Sequence, residues 1–139
     1  MKEKKLKHLM PKVAEQRVID NPDAVFIDVR CEAENKFVGR PLDCILVPWL
    51  DEPDWEPNPD KFVAAVERFI GDRDNIHDLE LILICRSGYR SNFAGKCLLE
   101  FGFTDVAHVA SGFEGDLDEN DQRGLLNGWR HDGMPWEQC

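Results

Sequence analysis

No stretch of this chain approaches the roughly 20 consecutive apolar residues that a membrane-crossing helix requires. The basic residues Lys2, Lys4, Lys5 and Lys7 are followed only by Leu6, Leu9 and Met10, too little for the apolar segment of an export signal. Positive charge is scarce. Against 27 Asp and Glu there are 17 Lys and Arg, a formal net charge of -10, which argues against nucleic acid or an anionic membrane as a general partner, because both need a basic face. The five cysteines (Cys31, Cys44, Cys85, Cys97, Cys139) are odd in number and never form a C-x-x-C pair, so neither a disulfide framework nor a zinc ribbon is indicated. A reducing cytoplasm is the expected compartment, with no metal and no cofactor.

Two further patterns fail on inspection. A nucleotide-binding loop G-x-x-x-x-G-K-[ST] would need glycine where Arg90 stands and serine or threonine where Cys97 stands. The acidic run from Glu114 to Asp121 starts like a calcium loop, but Asp121 replaces its glycine and Asn127 its final glutamate, so it reads as a solvated face. None of His8, His77, His108 and His131 is near Cys85 in sequence. A Cys/His dyad therefore cannot be inferred, and each histidine is expected to be exposed or satisfied in the core.

What remains is enough for one domain: 139 residues, 42% of them apolar, with no low-complexity tract or repeat. Residues 1–9 read as a flexible basic arm and 10–139 as the single domain. Helical spacing is expected over 11–20 (Val13, Ala14, Val18, Ile19), in a turn or two over 32–38 closed by Gly39, over 59–70 (Phe62, Val63, Val66, Phe69, Ile70) and after Gly88 (Phe93, Ala94, Cys97, Leu98, Phe101). Short apolar runs at 24–29, 45–47, 81–84 and 106–110 read as buried strands. The proline-rich segment Trp49 to Pro59 is a surface loop. Strands alternating with helices give an α/β fold with a parallel sheet.

The informative stretch begins where the run Leu81, Ile82, Leu83, Ile84 stops at Cys85 and the turn Arg86, Ser87, Gly88, Tyr89, Arg90, Ser91 follows. Strand ends in parallel sheets face the ligand crevice, and a helix starting there aims free N–H groups at an anion. Helix N-termini and nearby cations favour the thiolate, the nucleophilic form of cysteine. Cys85 is expected to feel both, inside an anion-binding nest of amides from Arg86 to Ser91 made possible by Gly88. Arg86 and Arg90 carry planar forks suited to sulfate-like oxygens. Cys97 falls on the buried helix face, and Cys31, just past a strand end, is the one other candidate thiol.

Over nearly its whole length the chain resembles the single-domain rhodanese-like sulfurtransferases. Asp28, Val29, Arg30 with Glu34 and Gly39 resembles the first family signature; Val47 and Pro48 match the end of a strand, and Cys85 to Ser91 the active-site loop. Gly112 and Phe113, then Gly128, Trp129, Gly133 and Pro135, resemble the closing pattern. The resemblance implies a three-layer fold: a central parallel sheet in the order 1-5-4-2-3 with helices on both faces. It also implies a Cys85 persulfide, formed from a small anionic donor such as thiosulfate and discharged to a thiol or cyanide acceptor. Arg86, Ser87, Gly88, Tyr89, Arg90 and Ser91 would bind substrate, Asp28 and Arg30 would brace the loop, and a sulfur-relay protein is a further candidate partner. The chain departs from the family at Gly39, Arg40, at Pro41 to Cys44 and at Ser111, Gly112, which concern the pocket rim.

Two rivals stand beside this reading. Loops of protein-tyrosine phosphatases, the class grouped here with arsenate reductases, place the arginine one position later than Arg90, so this loop suits a single sulfur atom better than a tetrahedral phosphate. A non-turnover persulfide carrier or docking module is the second.

Overall fold

The apolar runs around Ile27 and Leu83 become adjacent central strands, every residue of both being buried. The computed structural model describes residues 5–139. In chain order the elements are β1 (Lys7–Leu9), α1 (Pro11–Asp20), β2 (Val25–Asp28), a π-helical turn at Glu34–Val38, β3 (Arg40–Pro41), β4 (Ile45–Leu46), α2 (Pro59–Ile70), a 3-10 turn at Ile76–Asp78, β5 (Glu80–Ile84), α3 (Tyr89–Glu100), β6 (Asp105–Val109) and β7 (Trp136–Glu137). The main sheet is parallel throughout, in the order β1-β6-β5-β2-β4. Numbering only its five strands along the chain, this is 1-5-4-2-3. Outside the expected scheme, β3 and β7 form a separate antiparallel pair.

Side chains alternate across a strand, and the alternation here divides the core into two layers. Val25, Ile27, Val29, Leu81, Leu83, Cys85 and Val106 face one side, where they meet Phe62, Val63, Val66 and Ile70 of α2 and Ala94, Cys97 and Leu98 of α3. Phe26, Ile82, Ile84, Ala107 and Val109 face the other, under Ala14 of α1 and under Phe113 and Trp129 of the C-terminal segment. Cys85 therefore leaves the sheet on the α3 side. Helix α2 starts as its sequence indicates: Asn58 accepts from the Lys61 amide at 3.2 Å, with Pro59 in the first turn.

The basic arm needs correction. Residues 1–4 lie outside the described residues, but Lys7–Leu9 is an edge strand in register with Ala107, His108 and Val109. Leu6 and Leu9 are buried in opposite core layers, and Lys7 Nζ pairs with Asp105 at 2.8 Å. Three residues are too few to display a period, and their partner lies about a hundred positions away, so nothing local marks them as a strand. Helical spacing also over-assigned the buried faces: Val13, Ile19, Phe69, Phe93 and Phe101 are exposed.

Candidate active site

Strands β2 and β5 end together, Asp28 opposite Ile84, with the Val29 amide donating to the Ile84 carbonyl at 2.9 Å. This brings the Asp28–Arg30 segment and Cys85 out of the sheet side by side. Cys85 is only 1% exposed, so its sulfur lies at the base of the loop rather than on its crest.

The loop folds over that sulfur. Gly88 sits at φ +100°, and its amide donates to Cys85 Sγ at 3.0 Å. A Cβ at Gly88 would lie 2.2 Å from the Ala110 carbonyl oxygen, so both conformation and space require glycine. Gly112 meets the loop from below in the same way: its φ is +71°, and a Cβ there would come within 2.4 Å of the Arg86 carbonyl. The Phe113 amide then donates to the Cys85 carbonyl at 2.7 Å. Of the expected row of amides, Gly88 is the one backbone donor to Sγ among the described residues. Tyr89, Arg90 and Ser91 occupy the first turn of α3, where amides have no intrahelical carbonyl to meet.

Ser91 is fully buried, and its Oγ accepts from Cys85 Sγ at 3.3 Å. The same Oγ lies 2.7 Å from His108 Nδ1, and His108 Nε2 lies 2.7 Å from His8 Nδ1. His108 is buried and His8 exposed. Burial, aided by electrostatic repulsion from His8 and Lys96, pushes the His108 imidazole down to about 4, so it is neutral at pH 7. The expectation of a core-satisfied histidine holds for His108. Its partner, Ser91, ties it to the cysteine, and no local sequence signal reveals that link.

The arginines divide. Arg86 is exposed and makes no ion pair among the described residues. Arg90 does not stand free: Nη1 and Nη2 hold the two oxygens of Glu34 at 2.6 and 2.8 Å. Burial alone would raise the Glu34 carboxyl, but Arg90 outweighs it and brings the value down to about 2. Tyr89 is 73% exposed and packs edge-on against Phe93, outside the loop's interior. Ser87 is half-buried.

Asp28 and Arg30 form a fully buried pair, Nε to Oδ1 at 2.9 Å and Nη2 to Oδ2 at 2.8 Å. Arg30 Nη2 also donates to the Gly39 carbonyl, and its guanidinium lies 4.4 Å from the Phe113 ring centroid. Arg30 reaches the Cys85 loop through Phe113, whose amide donates to the Cys85 carbonyl. Cys31 donates from Sγ to Glu34 at 3.2 Å, and burial pushes its thiol up. Burial likewise raises Cys44 to about 12 and Cys97 to about 11, so all three remain protonated and poorly nucleophilic. A cleft of about 340 Å³ opens elsewhere, between the Trp49 to Pro59 loop and α2. Trp49 is buried there against Phe62, while Trp55 is exposed.

A parallel α/β sheet that delivers a cysteine from a strand end into a glycine-bearing loop at a helix N-terminus defines a class, the α/β domains with a cysteine loop at a strand end. Within that class the assignment is specific, since the model of the Rhodanese-like domain family matches residues 10–119 and the chain belongs to that family. It is 31% identical over 125 residues to an uncharacterised protein of Rickettsia conorii, covering 86% of this chain and 88% of that one. Among solved structures it is similar to Rv0390 of Mycobacterium tuberculosis, with a TM-score of 0.79 and 40% identity over 96% of this chain and 98% of the other. The polysulfide-sulfur transferase homodimer of Wolinella succinogenes shares the fold, with a TM-score of 0.66 at 22% identity, covering 96% of this chain and 80% of that one. Among the described residues no helix is long and apolar enough to cross a membrane.

Proposed function

We propose that this protein is a thiosulfate sulfurtransferase-like enzyme that moves a sulfane sulfur through a persulfide on Cys85. The observation that carries the reading is the Gly88 amide donating to Cys85 Sγ at 3.0 Å at the mouth of α3. A thiolate held there attacks the outer sulfur of a thiosulfate-like donor; the new S–S bond forms as the old one breaks, and sulfite leaves with the bonding electron pair. An acceptor, either a thiol or cyanide, then attacks the outer sulfur of the persulfide and returns Cys85 to thiolate. Neither half-reaction needs a metal or a redox partner.

The Arg90–Glu34 pair refines the roles within the loop. Because Glu34 already occupies both prongs of Arg90, Arg90 acts at short range as a fixed wall of the cradle, and the exposed Arg86 is the cation that greets an incoming anion. Gly88 and Ser91 contact the sulfur directly, Ser87 and Tyr89 form the rim, and Asp28 and Arg30 brace the loop at one remove through Phe113. Five free cysteines suit a reducing compartment such as the cytoplasm.

The carrier reading has one observation in its favour, the exposed Tyr89–Phe93 pair beside the loop, a surface on which a sulfur-donating protein could dock. Incubation with thiosulfate and cyanide separates the two. Thiocyanate from the wild type and none from Cys85→Ala is the expected result, with one added sulfur on Cys85 by mass spectrometry. Sulfur found on Cys31 or Cys97 instead would overturn the assignment. Sulfur uptake from a cysteine desulfurase without thiocyanate production would favour the carrier.

A further inference from the structure

The Cys85 thiol is nearly sealed from solvent, and a buried thiol can ionise only if its proton has somewhere to go. Four side chains form an unbroken row from the sulfur to the surface: Cys85 Sγ to Ser91 Oγ at 3.3 Å, Ser91 Oγ to His108 Nδ1 at 2.7 Å, and His108 Nε2 to His8 Nδ1 at 2.7 Å. Sheet geometry builds the row. His8 and His108 are register partners on neighbouring strands β1 and β6, and His108 neighbours Leu83 of β5, which lies on the same face as Cys85. The first turn of α3 lowers Ser91 between cysteine and histidine. We propose that Ser91, His108 and His8 form a relay that carries the Cys85 proton to solvent, and that the His108 tautomer reports whether the sulfur is thiol or thiolate.

The relay balances in both states. With the thiol present, S–H donates to Ser91 Oγ, the Ser91 hydroxyl donates to His108 Nδ1, and His108 Nε2–H donates to His8 Nδ1. On ionisation each hydrogen moves one place along: Ser91 receives the thiol proton and passes its own to His108 Nδ1. His108 gives its Nε2 proton to His8 Nδ1, and His8 releases its Nε2 proton to water. The row now points the other way, with His108 Nδ1–H donating to Ser91 and the Ser91 hydroxyl donating to the thiolate. Sulfur then has two donors, Ser91 and the Gly88 amide. His108 need not hold a net charge at any stage, which suits its buried position and its depressed basicity. The charged groups facing the row are Lys96 on α3, beside His108, and Arg90, paired with Glu34, beside Cys85; Lys7 and Asp105 lie on the other face of the sheet. His108 and His8 thus act on the reacting atom through Ser91, as positioning residues.

The inference takes Cys85 as the reactive thiol, as the proposed function does, but requires no sulfur donor. Its test therefore stands whether or not thiocyanate is formed. With ¹⁵N-histidine labelling of the whole chain, the imidazole nitrogen shifts identify the His108 tautomer across pH while thiolate absorbance is recorded on the same samples. The expected result is a change from Nε2–H to Nδ1–H in step with thiolate formation in the wild type, and no such change in Cys85→Ser. One tautomer throughout, or the same inversion in both proteins, would overturn the relay. His8→Phe breaks the outer end without touching the sulfur. At the pH where wild-type Cys85 is half ionised, iodoacetamide should alkylate the folded variant more slowly, by about fivefold for a one-unit upward displacement of the thiol titration. An unchanged alkylation profile in folded His8→Phe would equally exclude the relay.

Discussion

Two arginine–carboxylate pairs stand near the ends of β2 and β5, and they differ chiefly in what surrounds them. Asp28–Arg30 is sealed, with both side chains at 0% exposure, packed beneath Phe113 and tied to Gly39. Glu34–Arg90 has similar two-pronged geometry, but its side chains are 19% and 17% exposed, and it borders Cys31 and the cysteine loop. A sealed charge that loses its partner has no water to turn to, whereas a pair at a rim can exchange its partner for solvent or an anion. Similar chemistry therefore serves architecture in one place and the reacting surface in the other.

The comparison is most readily broken from the sealed side. Arg30→Ala leaves the Asp28 carboxylate buried and unpaired, and urea unfolding should register a loss of about 3–5 kcal/mol; a loss below about 1 kcal/mol would mean that water reaches the pair. Glu34→Gln should cost less, on the order of 2–3 kcal/mol at neutral pH, and its signature is the pH dependence. The Glu34 carboxyl is held at about 2 in the folded protein against an ordinary 4.5. A depressed carboxyl stabilises the fold above its unfolded value, and that stabilisation is lost as pH falls. The gap between wild type and Glu34→Gln should therefore be full above pH 4.5 and shrink steadily towards pH 2; a constant gap would show that the pair contributes no linked stability.

Arg90→Ala sharpens the contrast on the functional side. It should lower thiocyanate production several-fold while shifting the melting temperature less than Arg30→Ala does, and the reverse order would exchange the roles of the two pairs. The smallest effect is expected at Lys7–Asp105, whose side chains are 46% and 35% exposed. Lys7→Ala should change stability by under about 1 kcal/mol, and added salt should erase the difference. His108 supplies a control on the acid side. Its folded value of about 4 lies below the ordinary 6.5, so its share of stability is present above pH 6.5 and is lost progressively as pH falls towards 4; a stability curve flat across that window would contradict its burial.

Much of the fold was legible because its signals are local. The run Leu81 to Ile84 is apolar without alternation, as a strand covered on both faces must be, and the structure places it at the centre of the sheet. Asn58 and Pro59 mark the start of α2. By contrast, Lys7–Leu9 carries no local strand signal, because its strand character comes wholly from pairing with β6. Arg90 illustrates the same limit within the site. Its position in the loop is readable from the sequence, but its engagement by Glu34, 56 positions away, belongs to the closing of the sheet.

The sequence by itself determined that an apolar strand would end in a cysteine, that glycine would turn the chain immediately afterwards, and that a helix would begin there, because strand, turn and helix signals act over a few residues. Only the tertiary structure decided what that cysteine faces. Ser91, His108 and His8 meet in one row because β1, β5 and β6 were assembled in an order unrelated to their order along the chain. A hydrogen bond depends on distance in space, and sequence separations of 17 and 100 carry no trace of it.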